Sequence, residues 1–147
     1  MGLTVYTGGS FDTFHWAHVA FLKRCKEVAG DGEVVVSLNT DEFILAYKGK
    51  GLITNYEERK RVLEGCRYVD RVIPNVGGAD STVAIDLVKP DVIIIGSDWA
   101  RRDYYAQMNF TQDWLDERGI ALMYVPYTTG ISSTIIKSRM RSNGKLD

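Results

Sequence analysis

No stretch of this sequence approaches the roughly 18 consecutive apolar residues that span a bilayer, and its first residues lack the basic flank of a signal peptide. Charge of one sign is not in excess either, because the sequence has 18 basic and 19 acidic residues and a net charge of −1. That balance excludes the broad positive field of a nonspecific nucleic-acid binder. We therefore expect a cytoplasmic protein with no nucleic-acid or membrane partner, in which any anion site is built locally.

Proline and cysteine are also scarce, with 3 and 2 residues in a chain of 147. A composition with 45% hydrophobic and 25% charged residues is that of an ordinary globular protein, and the length predicts a single domain over residues 1–147. Cys25 and Cys66 both lie in predicted helices, which favours reduced thiols over a disulfide.

Short apolar runs alternate along the chain with stretches of helical periodicity. The clearest predicted strand, 91–96, is rich in isoleucine and valine, as expected for a strand buried on both faces. Repeated strand–helix–strand units imply right-handed crossovers, so we predict an α/β fold with five parallel strands covered by helices on both faces. The other predicted strands are 4–8, 33–39, 71–74 and 120–125, and the predicted helices are 16–29, 55–66, 82–88, 110–118 and 132–140.

The only two histidines of the sequence follow the first predicted strand, and ligands of parallel sheets collect at the carboxyl ends of strands. His15 and His18 are three positions apart at a predicted helix start, so they share a face beside the positive end of the helix dipole. Two hydrogen-bond donors at the start of a helix are suited to bind phosphate oxygens. The alternatives are a histidine that only caps the helix and, less favoured because neither cysteine has ligand spacing, a zinc site.

Basic and hydroxyl side chains follow other strands. Lys48 and Lys50 lie on a glycine-bearing segment predicted as a flexible loop, which could close over a polyphosphate or simply be a solvated surface loop. The hydroxyls and amides of residues 128–134 lead into the last helix as an anion cradle or an ordinary N-cap. The basic cluster at 59–61 is ambiguous in the same way, and most of it is predicted on the exposed face of a helix. Arg67, near the end of that helix, is better placed to reach the cleft.

Two motifs at opposite ends of the chain carry a family resemblance. Residues 9–18 resemble the Gly-x-Phe-Asp-x-x-His-x-Gly-His signature of the cytidylyltransferase-like nucleotidyltransferases, and residues 130–137 are similar to that family's Gly-Ile-Ser-Thr-Thr-x-Ile motif. Between them, residues 39–43, 56–60, 67–70 and 96–99 resemble the glycerol-3-phosphate cytidylyltransferase group in order and spacing.

The resemblance implies a Rossmann-like three-layer sandwich that moves CMP from CTP to a small phosphorylated alcohol such as glycerol 3-phosphate and releases pyrophosphate. It also implies that Mg²⁺ accompanies the triphosphate and that the enzyme is a homodimer. No residue of the chain is assigned as a metal ligand. His15 and His18 would stabilise charge at the transferred phosphoryl group, and Lys48 and Lys50 would contact the leaving phosphates. The nucleotide-binding residues would be Gly8, Gly9, Ser10, Phe11, Asp12, Asp98, Thr128, Gly130, Ile131, Ser132 and Ser133.

Departures from the family pattern concern the acceptor. Ala17 replaces the glycine of the signature, and Tyr127 stands where the family usually has an arginine that contacts phosphate. Arg67 is an acceptor residue by resemblance. Arg101 and Arg102, just beyond the fourth strand, are placed by topology to substitute for the missing arginine, or else are two exposed surface residues. The acceptor therefore stays open.

Two rival functions remain at this point. An adenylyltransferase of the flavin or sugar-phosphate type would use similar motifs with another base or acceptor, and a nucleotide-sensing module of the same fold would bind without turnover. Against the second, a pure binder has no need of a full set of donors for a transition state.

Overall fold

The computed structural model describes residues 2–143 and confirms the predicted α/β fold, a Rossmann-like three-layer sandwich with a five-stranded parallel sheet. The strand order is β3-β2-β1-β4-β5, so the winding direction reverses between β1 and β4. No helix among these residues is both long and apolar enough to cross a membrane. The strands are β1 (Thr4–Gly9), β2 (Glu33–Leu38), β3 (Arg71–Pro74), β4 (Val92–Gly96) and β5 (Ala121–Val125); the helices are α1 (Trp16–Ala29), α2 (Asp41–Lys48), α3 (Tyr56–Glu64), α4 (Thr82–Val88), α5 (Tyr104–Met108), α6 (Gln112–Glu117) and α7 (Ser133–Ser142), with a 3₁₀ helix at Ser97–Arg101.

The central strands are buried on both faces, which explains their continuous apolar sequences. In β2, Val34, Val35 and Val36 are all 0% exposed, and Val34 and Val36 pair with Val5 and Thr7 of β1. The edge strand β5 alternates between exposed and partly buried positions, because Leu122 and Tyr124 on one face pack against an apolar cluster, whereas Ala121 and Met123 on the other face are exposed.

Helices cover both faces of the sheet and close two apolar layers. On one face, Leu22 of α1 and Leu63 of α3 pack with Val36. On the other face, Ile85 of α4 and Leu115 of α6 belong to the same buried cluster as strand residues of β1 and β4. The loops lie at the carboxyl end of the sheet and carry the polar side chains described below.

The prediction of a flexible loop over residues 47–51 is wrong for Tyr47 and Lys48, which end helix α2, and the predicted helices omitted α2 altogether. Thr40 caps its start by accepting a hydrogen bond from the backbone N of Phe43, and Gly49 ends it in the left-handed region with φ +71°. Lys48 is therefore the last residue of a helix, and Lys50 lies beyond it. The cap, the acidic first turn and the terminal glycine were all visible in the sequence. The sequence patterns also missed the 3₁₀ helix and α5.

Helix α3 begins one residue later than its predicted start at 55, because Thr54-Asn-Tyr-Glu57, which also has the pattern of a capping box, does not cap it. Asn55 and Glu58 form the box instead, with reciprocal backbone-to-side-chain hydrogen bonds of 2.9 Å. The hydroxyl of Thr54 is engaged elsewhere, because it donates to the carboxylate of Asp12 at 2.7 Å.

Candidate active site

Two adjoining cavities, of about 460 Å³ and about 360 Å³, lie at the carboxyl end of the sheet and are called here the first and the second cavity. Both reach β1 and β4, the neighbouring strands between which the winding reverses, and α/β sheets bind ligands at such a point. The first cavity is lined by Thr7, Gly8, Gly9, Ser10, Phe11, His15, Ala17, His18, Phe21, Ile95, Gly96, Tyr127, Thr128, Ile131, Ser132 and Ser133.

The turn between β1 and α1 has an unusual backbone. Phe11 and Thr13 adopt φ values of +50° and +47°, a left-handed region that is costly for a β-branched residue such as Thr13. A Cβ on Gly9 would lie 3.0 Å from the Phe11 ring, so the turn is also tightly closed at its start. This strained turn brings the chain from the end of β1 to the start of α1 within a few residues, at the wall of the first cavity.

His15 and His18 are brought together at the start of α1, where His15 is the N-cap residue. The backbone N of His15 donates to Nδ1 of His18 at 3.2 Å, and the two rings stack with centroids 3.9 Å apart. Because Nδ1 of His18 accepts a hydrogen bond, the proton of the neutral ring is on Nε2. His18 therefore has one ring N–H left to donate.

Both imidazoles are held in the neutral form near pH 7. Burial, the largest cause, and repulsion from His15 together lower the pKa of His18 to about 4, and Asp12 opposes the shift. Burial also lowers the pKa of His15. Near pH 7 the cavity wall thus carries two neutral imidazoles, which can donate N–H groups.

The neutral state of His18 makes stability depend on pH. Between about pH 6.5, where an unfolded histidine takes up its proton, and about pH 4, where folded His18 does so, the unfolded chain binds more protons. Stability is therefore expected to fall as the pH falls through this window. Thermal melting at pH 7 and pH 5 measures it, and His18→Asn, which keeps an acceptor for the N–H of His15, should show a smaller loss than the wild type. Equal losses in both proteins would contradict the assignment.

A second helix begins at the first cavity. Ser132 caps α7 by accepting a hydrogen bond from the backbone N of Ile135 at 3.1 Å. Ser133 donates to the carbonyl of Asp12 at 2.8 Å and so ties α7 to the strained turn. With α1 and α7 both starting at its wall, the cavity receives the positive ends of two helix dipoles, which favour a bound anion.

Asp12, predicted to bind nucleotide, is 7% exposed and lines neither cavity. Its carboxylate accepts from the backbone N and hydroxyl of Thr54 and from the backbone N of Ile53, and lies 3.5 Å from Nζ of Lys137. Burial would raise the pKa of Asp12, but these hydrogen bonds and the charge of Lys137 outweigh it and lower the pKa. Asp12 holds the strained turn to the start of α3 and to α7.

Arg59 departs from the prediction that most of the cluster 59–61 is exposed, because it is only 2% exposed and lies beneath the site. Its guanidinium donates to the carbonyls of Ser10, Asn39 and Thr54 at 2.9–3.2 Å and to the carboxylate of Asp41 at 2.7 Å. It therefore joins the segments that follow β1 and β2. Helical periodicity could not reveal this, because the partners come from distant parts of the chain.

Tyr127 lines both cavities and forms part of the wall between them. Its ring lies on the backbone of β4, since a Cβ on Gly96 would come within 2.1 Å of its Cζ. Burial, the largest cause, and the neighbouring carboxylate of Asp98 together raise the pKa of Tyr127 to about 12. Asp98 and Gly130 line neither cavity.

The predicted basic residues separate in space. Lys48 lines the second cavity, whereas Lys50, Arg67, Arg101 and Arg102 line neither. Arg67 instead borders a separate cavity of about 520 Å³ beside α3, so the structure does not bring it to the others. Arg102 has its guanidinium carbon 5.3 Å from the ring centroid of Trp99, which does line the second cavity.

Asn39 and Asn75, which sequence reasoning missed, both line the second cavity. Each follows a strand directly, Asn39 after β2 and Asn75 after β3. The rule that polar groups after parallel strands face a ligand would have identified them.

Comparison with known proteins agrees with this geometry. The cytidylyltransferase-like family model matches residues 6–139. The chain is 38% identical over 136 residues to glycerol-3-phosphate cytidylyltransferase of Bacillus subtilis, covering 92% of this chain and 95% of the relative. It is 32% identical over 143 residues to FAD synthase of Korarchaeum cryptofilum, covering 95% and 92% respectively.

Among solved structures, the lipopolysaccharide core biosynthesis protein of Thermoplasma volcanium superposes with a TM-score of 0.66 at 26% identity, over 87% of this chain and 100% of that one. The histidine pair, the two helix starts and these similarities agree, and the chain belongs to the cytidylyltransferase-like family of nucleotidyltransferases.

Proposed function

We propose that this enzyme transfers CMP from CTP to the phosphate of a small phosphorylated alcohol, glycerol 3-phosphate or a relative, as a homodimer acting on the magnesium complex of CTP. The observation that carries the proposal is the stacked pair of neutral histidines at the start of α1, in a cavity that α7 also enters. The glycerol-3-phosphate cytidylyltransferase of Staphylococcus aureus, 35% identical over 92% of this chain, supports the choice of base and acceptor.

The reaction needs no protein nucleophile. An oxygen of the acceptor phosphate attacks the α-phosphorus of CTP, a new P–O bond forms, and the bond from the α-phosphorus to the bridging oxygen breaks as pyrophosphate leaves. Because the attacking phosphate is already ionised, no general base is required either. The protein aligns the two phosphates and compensates the charge that accumulates in the transition state.

The residues of the first cavity can supply that compensation. In the proposed complex, His15 and His18 donate to the α-phosphate and bridging oxygens, and Ser132 and Ser133 anchor the nucleotide at the start of α7. Lys48, with Lys50 beyond it, contributes positive charge for the phosphates. The lysines were expected to contact the β- and γ-phosphates, but the position of Lys48 in the second cavity favours a contact with the acceptor phosphate.

Magnesium fits this site as part of the substrate. Within residues 2–143, no group of three or more His, Cys, Asp and Glu side chains could hold a metal ion. Asp12 is occupied by Thr54, Ile53 and Lys137. The triphosphate itself offers the oxygen ligands that Mg²⁺ prefers, so the ion would enter with the nucleotide and needs no residue assigned to it.

Adenylyl transfer to a flavin phosphate is the second candidate. The near full-length similarity to the Korarchaeum FAD synthase favours it. The non-catalytic module is disfavoured, because the relatives are enzymes and the paired donors are present.

Pyrophosphate release distinguishes these functions. We expect purified enzyme with Mg²⁺ to release pyrophosphate from CTP faster than from ATP, GTP or UTP, and only when a phosphorylated alcohol is added. A preference for ATP with FMN would replace cytidylyl by flavin adenylyl transfer. If the folded protein released pyrophosphate from none of the four nucleotides with any acceptor, the proposal would be contradicted.

A further inference from the structure

The wall between the two cavities carries one hydroxyl group that no carboxylate occupies. The residues that line both cavities are Gly8, Gly9, Ser10, Ile95 and Tyr127. Of these, only Ser10 and Tyr127 have polar side chains, and the hydroxyl of Tyr127 lies beside the carboxylate of Asp98. Ser10 is partly exposed, so its hydroxyl is the polar side-chain group that this wall offers to a ligand at the junction of the cavities.

A series of side-chain hydrogen bonds, called here the amide relay, begins at the turn after β3. The backbone N of Gly78 donates to the carbonyl of Asn75 at 3.2 Å, and Gly78 has a φ of +58°. Nδ2 of Asn75 donates to the carbonyl of Gly78 at 2.9 Å and to Oδ1 of Asn39 at 3.1 Å. The opposite orientation of the Asn75 amide would set its oxygen against the carbonyl of Gly78, so the turn determines which way this amide points.

Asn39 passes this orientation on to Ser10. Because Oδ1 of Asn39 accepts from Asn75, its Nδ2 faces Ser10 and donates to Oγ at 3.1 Å. The hydroxyl proton of Ser10 must then point away from Asn39, and among residues 2–143 the structure shows no hydrogen bond in which this hydroxyl donates. The amide relay therefore leaves a proton donor on the wall between the cavities.

The backbone beneath the amide relay is held in place without a ligand. Asn39 donates its backbone N–H to the carbonyl of Gly9, and Asn75 donates its own to the carbonyl of Leu38, both at 2.9 Å. Nη1 of Arg59 donates to the carbonyls of Ser10 and Asn39, also at 2.9 Å. A donor that is oriented before a ligand arrives costs little reorganisation when the ligand binds.

The residues on either side of the shared wall indicate which phosphate this donor serves. His15 and His18 line only the first cavity, whereas Lys48 lines only the second. The α-phosphate thus has two imidazole donors, and the acceptor phosphate has one ammonium group on a flexible stem. A directed hydroxyl at the junction supplies what the lysine lacks, a contact that fixes the orientation of the attacking phosphate.

We propose that the hydroxyl of Ser10 donates to an oxygen of the acceptor phosphate, and that Asn39, oriented by Asn75, is the positioning residue that fixes the direction of this hydrogen bond. A hydroxyl can donate or accept, and the amide relay removes the second option. The inference rests on the proposed function in that the acceptor is a phosphate monoester, but it does not depend on the base of the nucleotide or on the alcohol.

A double-mutant cycle of Ser10→Ala and Asn39→Asp tests the direction of the relay. In Asn39→Asp, one carboxylate oxygen can still accept from Asn75, but the other accepts from Ser10 and turns the hydroxyl proton away from the ligand. We expect Ser10→Ala to lower kcat/KM for the acceptor about tenfold or more, mainly through KM, the loss of one hydrogen bond to an anionic oxygen. Asn39→Asp should lower it at least as much.

The combined variant separates the relay from the added charge. The negative charge of Asn39→Asp acts whether or not Ser10 has a hydroxyl, whereas the reversed hydrogen bond needs that hydroxyl. The factor lost through Asn39→Asp should therefore be about tenfold smaller in the Ser10→Ala background than in the wild type. Ser10→Thr keeps a hydroxyl and should retain most of the wild-type kcat/KM.

The control Asn55→Asp makes the same change of charge at the exposed cap of α3, which lines neither cavity, and should leave kcat/KM unchanged. Thermal melting checks that each variant folds. Equal factors for Asn39→Asp in the two backgrounds would overturn the positioning role, because Asn39 would then act on the ligand without Ser10. Wild-type kcat/KM in Ser10→Ala would overturn the proposal whether or not the Asn39 variants fold.

The cycle is measured with the nucleotide and phosphate monoester that the wild type turns over, so it can succeed where the proposed function fails. Turnover of ATP with FMN would contradict cytidylyl transfer, and the tenfold coupling between Ser10 and Asn39 would still support the relay. Without any turnover, calorimetry with glycerol 3-phosphate and a non-hydrolysable CTP analogue gives the same cycle as acceptor affinities. Coupling in those affinities would support the relay, and its absence would overturn it.

Discussion

Replacement of His18 by alanine is expected to lower kcat by about 100-fold or more, the usual effect of removing one preorganised donor to a developing oxyanion. The neutral ring has its Nδ1 engaged by the backbone of His15, so only Nε2–H can reach a phosphate oxygen. Because that contact strengthens as charge accumulates in the transition state, the affinity for CTP should change less than kcat. Steady-state kinetics and CTP titration of the variant measure the two effects.

Two further substitutions at this position separate the two ring nitrogens. His18→Gln places an amide N–H near the position of Nε2 and should recover part of the lost kcat. His18→Asn offers an acceptor near the position of Nδ1 and should keep the hydrogen bond from His15 but remain slow. Turnover near that of the wild type in the alanine and asparagine variants would show that His18 only caps the helix.

Substitution of Arg59 by methionine is expected to lower the free energy of unfolding by about 3 kcal/mol, the lower end of the loss when one partner of a buried ion pair is removed. The methionine keeps much of the apolar stem but leaves the carbonyls of Ser10, Asn39 and Thr54 without their donor. The cost stays at the lower end because Asp41 is 47% exposed and can be hydrated. Urea denaturation of the wild type and the variant measures the difference.

Arg61→Met is the matched control on the same helix. Arg61 is 77% exposed and lies 3.6 Å from Glu57 in an exposed pair, which contributes no more than about 0.5 kcal/mol. An Arg59 variant as stable as the Arg61 variant would contradict the structural role described for the buried guanidinium. Reduced kcat in Arg59→Met under conditions where it remains folded would show that the connection also positions the active-site turn.

Local patterns in the sequence were sufficient for the layers and for the first cavity. The β-branched runs of β2 and β4 predicted buried parallel strands, because a strand covered on both faces needs apolar residues at every position. The histidine spacing, directly after β1, predicted two donors on one helix start, and the structure has that arrangement. These features depend on residues within one turn or one strand of each other.

The same local reasoning failed for residues 40–51, where the sequence contains both the capping pattern of a helix and the glycines of a loop. The glycines at 49 and 51 suggested a loop, although Thr40 and the acidic first turn of α2 define a helix that ends at Lys48. The lysines were therefore treated as one mobile pair, and the structure separates them, with Lys48 in the second cavity and Lys50 outside it.

The sequence by itself determined the sheet, the family and the paired histidines, because hydrophobic periodicity and short motifs carry that information locally. Only the tertiary structure decided that Arg59 is buried, that Arg67 faces another surface, and that Asn39 and Asn75 line a second cavity. Arg59 meets Ser10 across 49 positions, and Asn75 meets Asn39 across 36. Burial of a charged or amide side chain depends on partners that the fold brings from such distances, which no local pattern encodes.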